Sequence, residues 1–324
     1  MKDFLVRSFD VLWREPRMIL KYYDVNFGVD ANISGNRNIF MVDGIVGHGG
    51  MFDRLKGAIS VYAISKIQQK DFRINFNYPF ELQKYLQPNC YNWLIDKKDI
   101  VYSYPHSRPL FLYGECYDPK RLFKNRNCEA HFYYGYDSLD KINDRYGTSF
   151  EWGKLYRELF KPTPYLQQHI TSYKQEIGNK YIVFHTRFLN LLGDKVETDI
   201  NPELPKSDRS MFMERMFGEI KKYAANYIKE NGNVRIMLAS DSMAFIEFMK
   251  MKMPDIYVVP GVVKHIDTAG NTNDAENVKM FLDYYLISCA QKVFSIVGKG
   301  MWPSAFPEYA AKIGETDFER ILLS

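Results

Sequence analysis

The sequence predicts an α/β protein made of two domains, each built around a parallel sheet. Its 324 residues, 46% of them hydrophobic, can bury a large core and suit two domains better than one. From about Tyr181 onward, short apolar runs alternate with longer amphipathic runs, the pattern of strands joined by helices. The same alternation occurs once near the start of the chain. These observations together favour helices wrapped around parallel strands.

In the first half, the run NIFMVDGIV predicts a strand and FRINF a second strand. Between them the glycine-rich stretch GHGG predicts a turn, and the apolar run that follows predicts a helix from Met51 to Gln69.

The second half repeats this order several times. Strands are predicted for YIVFHTR, VRIMLASD, IYVVPG and KVFSIVG. Helices are predicted for DRSMFMERMFGEIKKYAANYIKEN, SMAFIEFMKMKM and DAENVKMFLDYYLISCAQ, and a further helix is expected to start near Pro303. The segment KPTPYLQQH, with Pro162 and Pro164, is predicted to connect the domains, giving an N-terminal domain over 1–168 and a C-terminal domain over 169–324.

Charge and composition exclude several classes of protein. The 43 Lys and Arg against 39 Asp and Glu leave a net charge of +4, too weak to argue for nucleic acid or a membrane surface. The amino terminus interrupts its apolar residues with charges and no later stretch predicts a transmembrane segment, so we expect a cytoplasmic protein. Cys90, Cys116, Cys128 and Cys289 lack zinc or redox spacing and are expected to be reduced.

Chemistry is expected beyond the carboxyl ends of the strands, where open α/β sheets bind their ligands. The stretch GHGGMFDRLKG lacks the Lys-Ser or Lys-Thr of a Walker loop, and the third glycine of a dinucleotide motif falls at Phe52. Gly49 and Gly50 would still let an anion approach the start of the helix. The alternative is a simple turn in which Asp53 complements the helix dipole.

His185 and Arg187 stand two apart at the end of a predicted strand, so both side chains leave the same face. The planar guanidinium suits the oxygens of a pyrophosphate, and the histidine can bond to a phosphate or ribose. The alternative is that Arg187 pairs with a carboxylate while His185 packs in the core.

Two further strand ends carry polar residues. Ser240, Asp241 and Ser242 could cap the next helix or bind a ligand. The run Gly298-Lys299-Gly300 could form an anion site, or a loop with a solvated lysine. Asp283 lies beside the apolar stripe of its helix, a position that is usually solvated.

Five segments, in order, resemble the fucosyltransferase superfamily that includes the α1,2-, α1,6- and protein O-fucosyltransferases. They are GGMFDRLKGAISVYAISKI, YPFELQKYLQPNCYNW, FHTRF, LASDS and FLDYYLISCAQKVFS. The resemblance extends from about Gly47 to Ala310. It departs from the family at Phe52, where a glycine is usual, and after FHTR, where FLNLL follows and a second arginine is missing.

The resemblance implies a GT-B fold, two Rossmann-like domains facing a cleft, with GDP-fucose held mainly by the C-terminal domain. Arg187 would bind the pyrophosphate, His185 the nucleotide and Asp283 the guanine edge. Ser304 and Phe306 would contact phosphate and base, although an ungapped match falls instead on Gly298 and Lys299. The remaining candidates for donor binding are Gly49, Gly50 and Asp241.

The activity implied is an inverting transfer of fucose to a glycan hydroxyl, with Arg187 stabilising the departing diphosphate. Because the sequence has no D-x-D pair, we expect no metal and no other cofactor, with Lys299 or Arg54 supplying further positive charge. Asp194 is the candidate general base, ahead of Asp53 and Glu197. The alternatives are a GT-B enzyme using another nucleotide sugar and an inactive carbohydrate-binding relative. The acceptor glycan and linkage do not follow from the sequence.

Overall fold

The computed structural model describes residues 13–28, 36–115, 117–194, 203–261 and 273–323. The chain divides into two compact units, Met1–Lys161 (unit 1) and Pro162–Ser324 (unit 2). Each unit contains a four-stranded sheet. All strand pairs in these two sheets are parallel, which confirms the predicted α/β class.

Unit 1 contains more strands than the two that were predicted. Its helices are α1 (residues 13–22), α2 (Met51–Gln68), α3 (Lys120–Phe123), α4 (Leu139–Tyr146) and α5 (Trp152–Leu159), with short 3-10 turns at Leu82–Lys84 and Lys97–Asp99. Its strands are β1 (Asp24–Val25), β2 (Arg37–Val42), β3 (Asp71–Phe76), β4 (Leu86–Pro88), β5 (Ser103–Tyr104), β6 (Ser107–Phe111), β7 (Glu129–Tyr133) and β8 (Phe160–Pro162), the last of which crosses the division.

The main sheet of unit 1 has the order β3-β2-β7-β6, and short pairings join β1 to β5 and β4 to β8. From β2 the chain runs through α2 to β3 on one side, whereas β7 lies on the other side. The order therefore reverses between β2 and β7. We call this position the switch point of unit 1.

Unit 2 contains helices and strands in regular alternation. Its helices are α6 (Pro164–Ile177), α7 (Lys206–Asn231), α8 (Met243–Lys252), α9 (Asp274–Ser288) and α10 (Phe306–Gly314). Its strands are β9 (Tyr181–Thr186), β10 (Arg235–Ser240), β11 (Lys292–Val297) and β12 (Asp317–Leu322).

The sheet of unit 2 has the order β10-β9-β11-β12. The strand predicted for IYVVPG is reduced to one parallel bridge between Tyr257 and Met237 of β10. Pro260 and Gly261 stop this strand from continuing. The φ of Gly261 is +111°. With the bridge counted, the first strand is central and the second and third lie on one side, as in a doubly wound sheet. The switch point of unit 2 is therefore between β9 and β11.

The segment predicted to connect the domains is largely helical. Thr163 is the N-cap of α6 and accepts from the Leu166 amide at 3.4 Å, while Pro164 occupies the first turn. Residues 168 and 169, the predicted boundary, consequently lie inside α6, and the contact-based division falls earlier, after Lys161. Within the described ranges, no helix has the length and apolar character needed to cross a membrane.

Helix α2 packs unusually close to the loop after β7. A Cβ on Gly57 would lie 2.9 Å from both the Gly135 Cα and the Phe40 ring. A Cβ on Gly135 would lie 2.6 Å from the Gly57 Cα. Both distances are shorter than carbon atoms tolerate, so this helix-to-loop contact requires glycine on each side.

We expect Gly57→Ala to lower the free energy of unfolding by about 1–3 kcal/mol, because the added methyl group meets backbone. Gly218→Ala in α7 is the matched control, since its Cβ would meet nothing within 4 Å. That variant should gain about 0.5–1 kcal/mol from helix propensity. Chemical denaturation of both variants measures the difference, and an unchanged stability in Gly57→Ala would contradict the close contact.

Candidate functional site

Both switch points carry a strained backbone residue. Among the described residues, four non-glycine residues have positive φ, and two of these, Gln69 and Glu315, are helix C-caps. The other two, Tyr134 (φ 66°) and Leu189 (φ 54°), follow β7 and β9. Strain of this kind persists where the surrounding structure enforces it and is frequent at binding sites. The two strand ends are therefore the first places to look for a ligand site.

His185 lies near the end of β9 and is 8% exposed. Its ring stacks on Phe306 at 5.8 Å between centroids, and Phe306 in turn contacts the Tyr284 ring at 5.2 Å. Burial, followed by the charges of Arg187 and Arg320, lowers the pKa of His185 to about 3. The imidazole is therefore neutral at physiological pH and offers one donor and one acceptor.

A polar row crosses the sheet at this level. In the strand register, Ser295 of β11 stands between His185 of β9 and Arg320 of β12. The Ser295 hydroxyl and His185 Nδ1 are both buried without a hydrogen-bond partner in the described part of the chain. Buried polar atoms usually have a partner, so two neighbouring unpaired atoms indicate a place for a ligand or water.

The loop after β11 contacts this row at Arg320. Arg320 donates to the Ser304 carbonyl at 3.2 Å and pairs with Glu308 at 3.1 Å. The Ser304 hydroxyl accepts from the Phe306 amide at 3.2 Å. The structure thus groups the predicted residues His185, Ser304 and Phe306, and it adds Ser295 and Arg320, which the sequence analysis missed.

Arg187 follows β9 directly and is half-buried. Its carbonyl accepts from the Trp302 amide at 3.2 Å, which joins the loops after β9 and β11. The Asp241 carboxylate accepts from the amides of Phe188 at 2.7 Å and Leu189 at 2.9 Å. Asp241, predicted to bind the donor, therefore uses its oxygens to hold the strained loop that carries Arg187.

Asp194 has a capping role in the structure. Its Oδ2 accepts from the Ser242 hydroxyl at 2.8 Å and from the Ala244 amide at 2.7 Å. Ser242 itself is the N-cap of α8. The role of general base stays a prediction, and this geometry does not favour it, because the carboxylate oxygen is already engaged at a helix start. Glu197, a further candidate, lies outside the described residues.

Asp283 is 6% exposed and forms a buried ion pair with Lys279, whose Nζ lies 2.6 Å and 2.5 Å from the two carboxylate oxygens. Burial raises the pKa of Asp283, and the Lys279 charge opposes that shift. The adjacent Tyr284 contacts Phe306, so Asp283 lies on the helix that borders the His185 group. Both carboxylate oxygens are thus engaged, and guanine recognition by Asp283 stays a prediction.

Lys299 is exposed in the turn after β11. Gly300, the next residue, has a φ of +83° and gives this turn its left-handed step. Gly298 cannot carry a side chain without a shift, since a Cβ there would lie 2.9 Å from Phe212. The turn therefore presents one solvated cation, Lys299, beyond the end of β11. Both predictions for this turn, an anion site and a loop with a solvated lysine, stay predictions.

The glycine-rich stretch of unit 1 is stabilised by contacts among residues of the same turn. None of Gly47, Gly49 and Gly50 has positive φ; Gly44, at +84°, does. A Cβ on Gly49 would lie 3.2 Å from the Asp53 side chain, a tight contact, and Gly50 is the N-cap of α2. These two glycines form a close turn, and their predicted contact with the donor remains a prediction.

Arg54 and Asp53 both serve this turn locally. The Arg54 guanidinium is 4% exposed and donates to the carbonyls of Gly49 at 2.9 Å and Tyr78 at 3.0 Å. Asp53 pairs with Lys56 at 2.8 Å. In the described residues no group of three or more His, Cys, Asp or Glu could hold a metal ion.

Comparison with known proteins found similarity only in structure, since no protein-family model and no curated protein matches the chain. The chain is similar to NodZ alpha-1,6-fucosyltransferase soaked with GDP-fucose, with 15% identity, a TM-score of 0.54, and coverage of 86% of this chain and 92% of that chain. The NodZ crystals grown with GDP give 14% identity, a TM-score of 0.55, and coverage of 85% and 92%.

NodZ from Bradyrhizobium is also similar without a named ligand, at 15% identity and a TM-score of 0.53. The POFUT1 complex with GDP-fucose is 10% identical over 91% of this chain and 99% of that chain, with a TM-score of 0.45. The likeness to NodZ shows a shared fold. The resemblance to fucosyltransferases drawn from the motifs is confirmed at that level.

The lowered pKa of His185 predicts a stability loss in acid. The unfolded chain takes up a proton near pH 6.5, whereas the folded imidazole resists it down to about pH 3. The contribution of His185 to the free energy of unfolding is therefore complete above pH 6.5 and is lost as the pH falls from 6.5 toward 3. In His185→Gln, the slope of unfolding free energy against pH should be smaller by up to about 1.4 kcal/mol per pH unit in that window.

His48 provides a matched case in unit 1, because burial also lowers its pKa to about 3. His48→Gln should reduce the slope in the same direction. Urea denaturation at half-unit steps between pH 7.5 and pH 4 measures both. Equal slopes in wild type and His185→Gln would show that the folded imidazole takes up its proton over the same pH range as in the unfolded chain, which contradicts the lowered pKa.

Proposed function

We propose that this chain is a glycosyltransferase that transfers fucose from GDP-fucose to a glycan hydroxyl, with inversion and without a metal ion. The observation that supports it best is the pair of unpartnered buried atoms on His185 and Ser295, next to Arg187, at the switch point of unit 2. This is where doubly wound sheets bind nucleotides. The shared fold with NodZ, whose crystals contained GDP-fucose or GDP, adds support.

Each residue of the candidate site suits a different chemical part of the donor. Arg187 supplies a planar guanidinium for the diphosphate, and Lys299 supplies a second positive charge. The neutral His185 and the Ser295 hydroxyl offer hydrogen bonds that no described protein group uses. The Phe306 ring provides an apolar face for a base or sugar. The GT-B organisation, with a separate acceptor-binding domain, is part of the proposal.

The mechanism follows from where charge develops. The acceptor oxygen attacks the anomeric carbon from the side opposite the diphosphate, so the configuration inverts as the carbon–oxygen bond to phosphate breaks. Negative charge then accumulates on the leaving GDP. Arg187 precedes the loop that Asp241 holds, and its guanidinium stabilises this charge as the charge develops.

One observation supports a second candidate, a transferase that uses a different nucleotide sugar. The carboxylate of Asp283 is bound by Lys279 through both oxygens, so selection of guanine by this residue competes with an existing ion pair. Competition among GDP, UDP and ADP separates the candidates. Preference for GDP supports the fucose donor, and preference for UDP supports the alternative.

We expect Arg187→Ala to weaken GDP binding by about 10- to 100-fold, because one charged bidentate contact is lost. The rate of fucosyl transfer should fall by about 10²–10³-fold, as for the removal of other donors to a developing anion. Isothermal titration calorimetry with GDP and single-turnover assays with GDP-fucose measure the two effects. Arg215→Ala, an exposed arginine on α7, is the matched control and should bind GDP as wild type does. Undiminished GDP binding in Arg187→Ala would contradict the assigned role.

A further inference from the structure

Aromatic rings follow all four strands of the main sheet of unit 1. Because these strands are parallel, their carboxyl ends meet at one edge of the sheet, and the loops that carry the rings start there. The rings are those of Tyr78 after β3, His48 after β2, Tyr134 and Tyr136 after β7, and Tyr113 after β6. We call these five residues the aromatic rim.

Tyr134 is the centre of the aromatic rim. Its ring stacks on that of His48, with 5.8 Å between centroids and 14° between planes. It meets the ring of Tyr113 at 5.2 Å and that of Tyr136 at 5.3 Å, both in edge-to-face geometry. These three ring contacts hold Tyr134 at a φ of 66°, a conformation that costs free energy for a residue other than glycine.

The two most exposed rings of the aromatic rim are supported on one side. Tyr113 is 45% exposed and Tyr78 is 44% exposed. Tyr113 stacks on Phe111 at 5.8 Å and 19°, in addition to its contact with Tyr134. Tyr78 lies against Gly44, where a Cβ would be 3.2 Å from the tyrosine ring. Rings that are already held in place lose little conformational freedom when a ligand binds to them.

These two exposed rings lie on opposite sides of the switch point of unit 1. Gly44, which supports Tyr78, follows the end of β2 by two residues, and Tyr134, which supports Tyr113, directly follows β7. The order of the strands reverses between β2 and β7. Open α/β sheets bind their ligands in the crevice at such a position. A ligand in this crevice would therefore find a tyrosine ring on each side.

The charges at this position favour an uncharged ligand. Burial, followed by the charge of Arg54, lowers the pKa of His48 to about 3, so no ring of the aromatic rim is charged at physiological pH. Arg54 itself donates to two backbone carbonyls. Asp43, half-buried directly after β2, places a carboxylate at the same strand end and disfavours a phosphate there.

The aromatic rim also contains a polar atom that lacks a partner. His48 Nε2 is buried and has no hydrogen bond to any residue that the structure describes. Buried polar atoms are normally paired, and the hydroxyl of a ligand can supply such a partner. Aromatic faces combined with a few polar groups are the usual lining of a small-molecule site.

We propose that the aromatic rim is a binding site for an uncharged glycan, whose sugar rings pack against Tyr78 and Tyr113. The C–H faces of sugar rings are apolar and suit aromatic faces, whereas their hydroxyls require hydrogen-bond partners. The choice of a glycan among uncharged ligands rests on the proposed function, which requires the chain to bind one. The site lies wholly within unit 1, and no chemical step is assigned to it.

An array of uncharged oligosaccharides tests this proposal, with labelled wild-type chain and no nucleotide present. The wild type should bind at least one member, and titration calorimetry with that oligosaccharide gives its Kd. Tyr78→Ala and Tyr113→Ala should each raise this Kd by about 10-fold or more, as for other aromatic anchors. Tyr113→Phe keeps the ring and should stay within about 3-fold of the wild type.

Tyr146→Ala is the matched control. Tyr146 belongs to α4 of unit 1, is 36% exposed and lies edge-on against Phe123 at 6.0 Å, but it is outside the aromatic rim. This variant should bind the oligosaccharide as the wild type does. Urea denaturation verifies that every variant is folded.

The outcomes separate this proposal from the proposed function. Binding to no member of the array, or equal binding by the wild type, Tyr78→Ala and Tyr113→Ala, overturns the glycan site, and assays of fucosyl transfer still decide on the proposed function. Glycan binding that both variants lose, in a chain that transfers no fucose, supports the site and contradicts the proposed function. Sedimentation velocity covers a second copy as the occupant. Self-association without glycan binding, abolished by Tyr113→Ala, would overturn the glycan site in favour of an interface between copies of the chain.

Discussion

The parallel pairing of β9 with β11 is the constraint on which the candidate donor site depends. It places Ser295 beside His185, and with β12 it adds Arg320 to the same row. Each of these side chains is polar, and the register alone brings them together from distant parts of the sequence. Because a shift by one residue would turn each side chain to the opposite face, the site is only as well defined as the register.

The two units share one arrangement of strands but carry different side chains at it. In each, the strand order reverses next to the first strand of the sheet, and a non-glycine residue with positive φ follows one of the strands at that position. In unit 2 this end carries cationic and neutral donors, which suit phosphate. In unit 1 it carries Asp43, whose carboxylate accepts from the Tyr133 hydroxyl and the Ile45 amide.

Most of the helices and strands were predictable because their apolar residues follow a regular local pattern. β2, β3, β9, β10 and β11 are short apolar runs, and α2 buries one long one. β7 and β12 were missed for opposite reasons. β7 contains Glu129 and His131 yet is fully buried, whereas β12 is an edge strand with one buried residue. Periodicity detects neither, since it assumes that buried residues are apolar.

The candidate site was predictable only where a motif is contiguous. His185 and Arg187 share a strand end, so spacing alone could pair them. Ser295 and Arg320 enter through pairing between strands, so no short pattern contains them. Local sequence also could not show that Asp194 and Asp241 are engaged by backbone amides, because capping and ligand binding require the same residue types.

The bond between Asp241 and the amides of Phe188 and Leu189 amounts to an anion-binding cradle that the protein fills with its own carboxylate. A chain with glycine at this position would leave the cradle open beside a guanidinium. Small oxyanions from the buffer, formate or acetate, could then occupy it and restore the loop. The protein thus carries an internal substitute for a counter-ion at the loop after β9.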